Sequence, residues 1–348
     1  MPPTAPYEST PATPGNLSPQ DELQSLLTSS GIVPLTETGW IKVTGSDRVR
    51  WLNGMVTNSV QDLPPGHGCY NFLLSAQGRI QGDATIFAEP DHLLLETAAA
   101  QIPTLLALLD RFIIMDDVEL ADITSERKGL LLAGPHSPRL LSSLSLLPPE
   151  GPAPSLANLL WHDYPLTVVR AYSPLTPRFE LWATEPTFPA LSTKLHTLGA
   201  APCTPAALNN LRILEGTPLF GTDIRDRDLP QETGANRALH FSKGCYLGQE
   251  IVERIRSRGQ VHRTFGGFTL TGDPASPGAP LTVEGKPAGE LTSTALLQTP
   301  AGEIQLALGY IRREFLVGSR NIQYPGGTAH TALLPFNVPT ILGAPTLI

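Results

Sequence analysis

The sequence predicts an α+β fold: a mixed helix–strand body followed by a small β-barrel. Three observations carry this. Before residue 260 the strand patterns come in hairpin pairs followed by helices, not in single strand–helix–strand steps, which argues against a doubly wound parallel sheet. After Gln260 the helical period disappears and short strands alternate with Gly/Pro turns, the pattern of a small barrel or sandwich. The chain has 348 residues, more than one core usually holds, so two or three domains are expected.

Residues 1–20 are rich in Pro, Ser and Thr and read as a disordered extension. The body is expected over 21–259, in two subdomains that meet near the proline-rich stretch at 148–158. Asp21 to Ser29 predicts a helix with Leu23, Leu26 and Leu27 on one face. Trp40 to Gly45 predicts a strand, and Ser46 caps a helix running through Trp51 and Leu52. Asn71–Leu74, the turn Ser75–Gly78 and Arg79–Phe87 read as a hairpin. In its second strand Ile80, Gly82, Ala84 and Ile86 share one face, which leaves Asp83 on the other, toward water or a pocket.

His92–Glu96 is expected to be a third strand, followed by an amphipathic helix over Ile102–Phe112 and strands at Val118–Ile123 and Lys128–Ala133. Helices are predicted at Pro138–Leu147, Pro189–Leu198 and Pro205–Leu214, the last with Gly216 as its C-cap. Strands are predicted at Pro165–Tyr172 and Arg178–Ala183; Glu180 within the latter faces solvent or a polar pocket. The mixed-charge loop Phe220–Asn236 is either solvated or a lid over a site. Gln249–Arg258 reads as a helix, with Glu250 positioned to pair with Arg254 and with Leu247, Ile251 and Ile255 toward the core. The barrel and a loosely packed tail take 260–348.

Composition narrows the function. Hydrophobic residues make up 41% and charged residues 16%, as in soluble globular proteins. A net charge of −8 argues against a generally basic nucleic-acid surface, although Arg254, Arg256, Arg258, His262 and Arg263 form a local basic run that is either a solvated face or a phosphate track. Cys69, Cys203 and Cys245 are far apart with no CxxC, so neither a metal site nor a disulfide framework is suggested. No signal-peptide pattern or membrane-length apolar run is present, so a cytoplasmic protein with no membrane contact is expected.

The most unusual segment is Lys243-Gly244-Cys245-Tyr246-Leu247-Gly248-Gln249-Glu250, a cation, a thiol, a phenol, an amide and a carboxylate around two glycines. Such a set does not suit a core, where unpaired polar groups are costly. Cys245 reads either as a functional thiol, its thiolate favoured by the neighbouring Lys243, or as an ordinary buried one.

This segment, with Arg254 and Gly259, resembles the signature of the folate-binding YgfZ family, which is related to the glycine-cleavage T-protein, an aminomethyltransferase. The resemblance extends over roughly 32–315. It includes Gly45 and Asp47 with Leu52-Asn53-Gly54 and Thr57, then Leu211-Arg212-Ile213-Leu214-Glu215-Gly216 with Gly221-Thr222-Asp223, and Pro230 with Glu232. Downstream, Ala288–Ser293 and Leu306–Tyr310 are similar to the family's barrel. It implies a three-part arrangement around a central opening that binds tetrahydrofolate or a one-carbon-substituted form. By position Asp83 matches the acid of one-carbon transfer, Glu180 the acid that recognises the pterin, and Arg212 a basic residue near the folate; Lys243 and Tyr246 fall in the signature beside the cofactor. A carboxylate suits adjacent pterin N–H donors, and an Arg suits the glutamate tail.

The chain departs from the T-protein where that family has Lys-Gly-Asp/Glu-Phe-Ile-Gly, since Cys245 and Tyr246 stand there instead. YgfZ-type proteins are linked to iron–sulfur cluster assembly or repair and to tRNA modification, with the Cys as their functional residue. The first expectation is therefore a folate-binding accessory protein with iron–sulfur client or assembly partners. The alternatives are a T-protein-like aminomethyltransferase and a tRNA- or protein-binding module with a vestigial folate site.

Overall fold

Side-chain alternation builds most of the first sheet as the sequence predicts. In the strand Ile80–Ala88, Gly82, Ala84 and Ile86 are buried on one face and Asp83 and Thr85 are half-buried on the other, but a register shift at Leu73/Leu74 breaks the alternation and packs Ile80 with Phe72 and Leu74 instead of with Ala84 and Ile86. This strand lies between Gly68–Leu74 and Leu93–Ala98 in a five-stranded antiparallel sheet completed by Thr38–Thr44 and Glu119–Asp122. Its apolar face packs on the helices Arg48–Asn53 and Ile102–Asp110 through Trp51, Leu52, Leu105 and Leu109. The computed structural model describes residues 17–299, 302–316 and 320–337. Most of the expected N-terminal extension, residues 1–16, and the last part of the tail lie outside them.

A second sheet has six strands in the order Ala201–Pro202, Gly31–Leu35, Lys128–Ala133, Arg178–Ala183, Tyr164–Arg170, Ser155–Trp161. Both of its faces are covered, which explains the unbroken apolar run Leu130-Leu131-Leu132-Ala133 at its centre. Leu130 and Leu132 pack with the helices Ser137–Ser143 and Phe188–Thr197, whereas Leu131 and Ala133 pack with Pro19–Thr28 and Pro205–Glu215. Three of these strands escape the sequence patterns, the short Ala201–Pro202 among them. Gly31–Leu35 contains Pro34, which marks a strand as doubtful, and Ser155–Trp161 directly follows the proline-rich stretch. The chain enters this sheet with Gly31–Leu35, leaves it to build the first sheet over residues 38–122, and returns to it with Lys128–Ala133.

The two sheets meet through aromatic edges. Trp182 lies edge-on to Trp40 at 5.5 Å and to Phe87 at 5.6 Å between centroids. The third unit is a closed six-stranded barrel. Its strand Lys286–Thr299 runs well beyond the Ala288–Ser293 stretch singled out in the sequence and carries a register shift between Leu291 and Ser293. The segment expected as a loose tail is instead integral, since Ile322–Tyr324 and Gly327–Ala332 close the barrel against Pro280–Val283 and Arg263–Gly272.

A buried ionic seam joins body and barrel. Asp223, on the loop after the helix Pro205–Glu215, is fully buried. It accepts from Arg212 Nη1 at 2.7 Å, the Leu219 amide at 3.0 Å, Ser293 Oγ at 2.7 Å and Thr292 Oγ1. Farther along the loop, Arg263 of the barrel pairs with Asp228 and Glu232, and Arg225 pairs with Glu290. Arg263 is thus committed to the seam and leaves the basic run that the sequence suggested. Gly216, with φ 68°, is the left-handed cap that turns the chain into the loop.

Replacing Asp223 with Ala leaves the buried Arg212 without its carboxylate partner. The expected loss is about 3–5 kcal/mol, read by urea unfolding; a change under about 1 kcal/mol would contradict the role given to this seam.

Candidate functional site

The two sheets and the 217–238 loop enclose a cavity of about 680 Å³, a size that suits a small-molecule site. Tyr70, Asp83 and Glu96 reach it from the first sheet, Arg178 and Glu180 from the second, and Phe220 and Arg237 from the loop. Asp83 and Glu180 therefore line one space although they lie 97 positions apart in the sequence.

Asp83 is held rather than solvated. Tyr70 Oη donates to its Oδ2 at 2.6 Å, and Gln101 Nε2 donates to its Oδ1 at 2.8 Å. The same Gln101 amide accepts from the Asp83 backbone N–H at 3.1 Å, so carboxylate and backbone are clamped together. Burial raises the Asp83 pKa, while the Tyr70 and Gln101 hydrogen bonds and the Arg237 charge pull it back. Burial and the adjacent Asp83 hold the Tyr70 phenol well above its ordinary value, so it remains a donor.

A second acidic position was not legible as a site in the sequence. Glu96 ends the apolar run Leu93-Leu94-Leu95 and lies opposite Thr85 and Trp40 in the first sheet. It faces Glu180, whose Oε2 accepts from Trp182 Nε1 at 2.9 Å. Burial and the neighbouring Glu180 carboxylate raise the Glu96 pKa well above the usual range, which favours its neutral form. One end of the cavity thus offers both an acceptor and an acid.

Arg237 also went unremarked in the sequence. Its guanidinium lies 4.2 Å from the ring centroid of Tyr70 and 4.2 Å from that of Tyr172. Tyr172 follows the strand Tyr164–Arg170 of the second sheet, so this stack spans both halves of the body. Cation–π contact fixes the guanidinium plane without using its N–H donors. The pattern that could have revealed Arg237 is tertiary, since nothing next to it in sequence is aromatic.

The Lys243–Glu250 segment is not in this cavity. Lys243 Nζ donates to the carbonyls of Asn53, Val56 and Asn58, each at 2.7 Å, and ties the segment to the first sheet's helix and following loop. Burial lowers its pKa to about 8, and the three carbonyls favour its protonated form at neutral pH. The thiol near its charge is Cys69, not Cys245. Cys69 itself is pushed up to about 11 by burial, and the Lys243 donors expected to favour the Cys245 thiolate go to the three carbonyls instead. A separate cavity of about 420 Å³ is lined by Lys243, Gly244 and Cys69.

Tyr246 packs with Phe72, Leu74 and Val252, and burial raises its phenol to about 12. Cys245 is exposed and lines neither cavity. Gly248, at φ 81°, lets the segment touch the hairpin turn; a Cβ there would meet the Ser75 carbonyl at 2.5 Å. The helix Gln249–Arg258 that follows buries Val252, with Leu247 and Ile251 half-buried beside it. Its ion pair is Glu253 with Arg256 at 3.5 Å, in place of the expected Glu250–Arg254. Arg212, committed to Asp223, Ser293 and Asn209, is not among the cavity-lining residues.

The family model described as the GCVT N-terminal domain matches residues 13–243. The chain belongs to that family. It is 27% identical over 285 residues to a putative chloroplastic transferase of Arabidopsis thaliana, covering 81% of this chain and 65% of the relative's length. It is 28% identical over 296 residues to an aminomethyltransferase of Rubrobacter xylanophilus, covering 82% and 77%. Its fold matches the crystal structure of the glycine cleavage system aminomethyltransferase T from Bartonella henselae with a TM-score of 0.79, at 20% identity over 94% and 90% of the two chains. The GCVT-family fold, an α+β body with a closed C-terminal barrel, is thereby established. Among the described residues no helix is long and apolar enough to cross a membrane.

Two measurements check the Lys243 anchor. Its Cε–Nζ resonances should titrate with a midpoint of about 8. Since the folded pKa lies below the unfolded one, the unfolded chain binds more protons between those values, and stability should rise as pH increases through that window. Lys243→Met should cost about 2–3 kcal/mol by leaving three carbonyls without their shared donor; an unchanged denaturation midpoint would show that the carbonyls find other partners.

Proposed function

We propose that the protein is a tetrahydrofolate-binding accessory factor for iron–sulfur enzymes. The observation that supports folate binding is the convergence of Asp83 and Glu180 on one cavity from different sheets. A pterin presents adjacent N–H groups, and Glu180 with Glu96 offers carboxyl oxygens to accept them. Asp83, clamped by Tyr70 and Gln101, stands ready to accept a proton from an amine. Bound there, a reduced folate supplies a one-carbon acceptor or donor.

The accessory reading draws on Cys245. Its exposure outside both cavities suits contact with a partner protein better than contact with the folate. tRNA modification enters this reading through iron–sulfur client enzymes. Direct tRNA binding has weaker support because Arg263 is engaged by Asp228 and Glu232. A cytoplasmic setting fits such clients and belongs to the same proposal.

The second reading, an aminomethyltransferase, is favoured by the environment of Asp83, whose raised pKa brings a carboxylate closer to the range useful for proton transfer. Formation of methylene-tetrahydrofolate from an aminomethyl donor, abolished in Asp83→Asn, would establish it; folate binding without turnover would reject it.

Tetrahydrofolate titrated into wild type and Glu180→Ala should differ in affinity by about tenfold or more; equal affinity would remove Glu180 from the pocket. In cells lacking the endogenous protein, Cys245→Ala should fail to rescue iron–sulfur enzyme activity while retaining wild-type folate affinity. Full rescue would exclude the thiol from the function.

A further inference from the structure

Asp83 and Arg237 are opposite charges that share a cavity without pairing with each other. Among the described residues, no ion pair or hydrogen bond engages the Arg237 guanidinium. Its two acidic neighbours already have other donors. Asp83 accepts from Tyr70 and Gln101, and Glu215 accepts from Arg178 at 3.1 Å and from Ser173.

Tyr70 sets the spacing between the two charges. The guanidinium lies over the ring face, and the carboxylate lies at the hydroxyl edge. A single aromatic ring therefore separates them, too wide for direct contact. Tyr70 and Gln101 use two of the roughly four lone-pair sites of the Asp83 carboxylate, which leaves acceptor capacity toward the cavity. A planar guanidinium held by two rings presents a pre-organised fork suited to a carboxylate.

We propose that this corner of the cavity binds a small zwitterionic α-amino acid, its ammonium on Asp83 and its carboxylate on Arg237. The ligand's two charges are separated by one carbon atom, and a hydrogen bond of about 2.8 Å at each end spans the gap that Tyr70 imposes. The site places the amine nitrogen against the carboxylate that can take its proton. The assignment deepens the folate reading and rests on it in one respect: the amino acid would lie beside the folate sharing the cavity, with its amine on Asp83.

The test uses calorimetric titration of the full chain with N-methylglycine, the smallest α-amino acid with a one-carbon substituent on nitrogen. Methylamine, which lacks the carboxylate, and acetate, which lacks the amine, are the controls. Wild type should bind N-methylglycine more tightly than either control. Arg237→Gln should weaken N-methylglycine about tenfold or more and leave methylamine unchanged. Arg237→Lys, which keeps the charge over the rings but loses the fork, should retain part of the affinity and guards against misfolding of the Gln variant.

Wild-type affinity in both variants overturns the proposal, as does failure of wild type to bind N-methylglycine at millimolar concentration. Tetrahydrofolate and tetrahydropteroate, which lacks the glutamate, are titrated separately. If Arg237→Gln weakens only tetrahydrofolate and leaves N-methylglycine unchanged, Arg237 reads the folate tail and the amino-acid site is rejected. If neither pterin binds wild type, the folate reading fails on its own, and the N-methylglycine titration still decides the amino-acid site.

Discussion

The arrangement of this protein depends on one buried carboxylate. Asp223 has no contact with water, yet it is surrounded by four donors from the helix, the loop and the barrel. Placing a charge in such a site is costly unless its partners are complete. Here they are complete only when the helix, the loop and the barrel come together, so this site works as a docking condition. The loop that Asp223 fixes continues to Asp228 and Glu232, which Arg263 anchors, and then to Arg237 in the cavity wall. The position of Arg237 thus follows from the seam.

The same logic runs through Lys243. A buried ammonium is unfavourable, and the fall of its pKa to about 8 measures that penalty. Three carbonyl acceptors at 2.7 Å offset it and at the same time satisfy backbone oxygens that would otherwise lack donors. The consequence is mechanical. Lys243 staples the segment to the first sheet's helix and loop, Tyr246 fills the core beside it, and Gly248 permits close approach to the hairpin turn. Cys245 is left on the outside of a rigidly held segment.

Inside the cavity, the cost of burial is distributed among the acids in different ways. Asp83 has two side-chain donors and a nearby guanidinium, which oppose the effect of burial. Glu96 faces another carboxylate, so burial and repulsion act in the same direction and favour its neutral form. The site therefore sets two acids apart, one whose burial is opposed by its neighbours and one whose burial is reinforced, a division achieved by neighbours rather than by residue type.

Much of this was legible in the chain. Period-two alternation placed Asp83 on the face opposite Ala84 and Ile86, though it missed the register shift that packs Ile80 with Phe72 and Leu74, and the boundaries of Lys128–Ala133, Arg178–Ala183 and Gln249–Arg258 followed from local pattern and punctuation. The signature segment announced itself by composition. Local sequence determines such features because alternation, capping and turn chemistry act over a few residues. It could not show that Pro34 sits within a strand, that the supposed tail closes the barrel, or that Arg212 and Arg263 serve the seam. Nor could it show that Glu96 meets Glu180 or that Arg237 lies between Tyr70 and Tyr172. Those partnerships join residues from separate elements. Whether a charge is solvated, paired or poised for a ligand depends on what the folded chain brings within a few ångströms of it, and only the tertiary structure decides that.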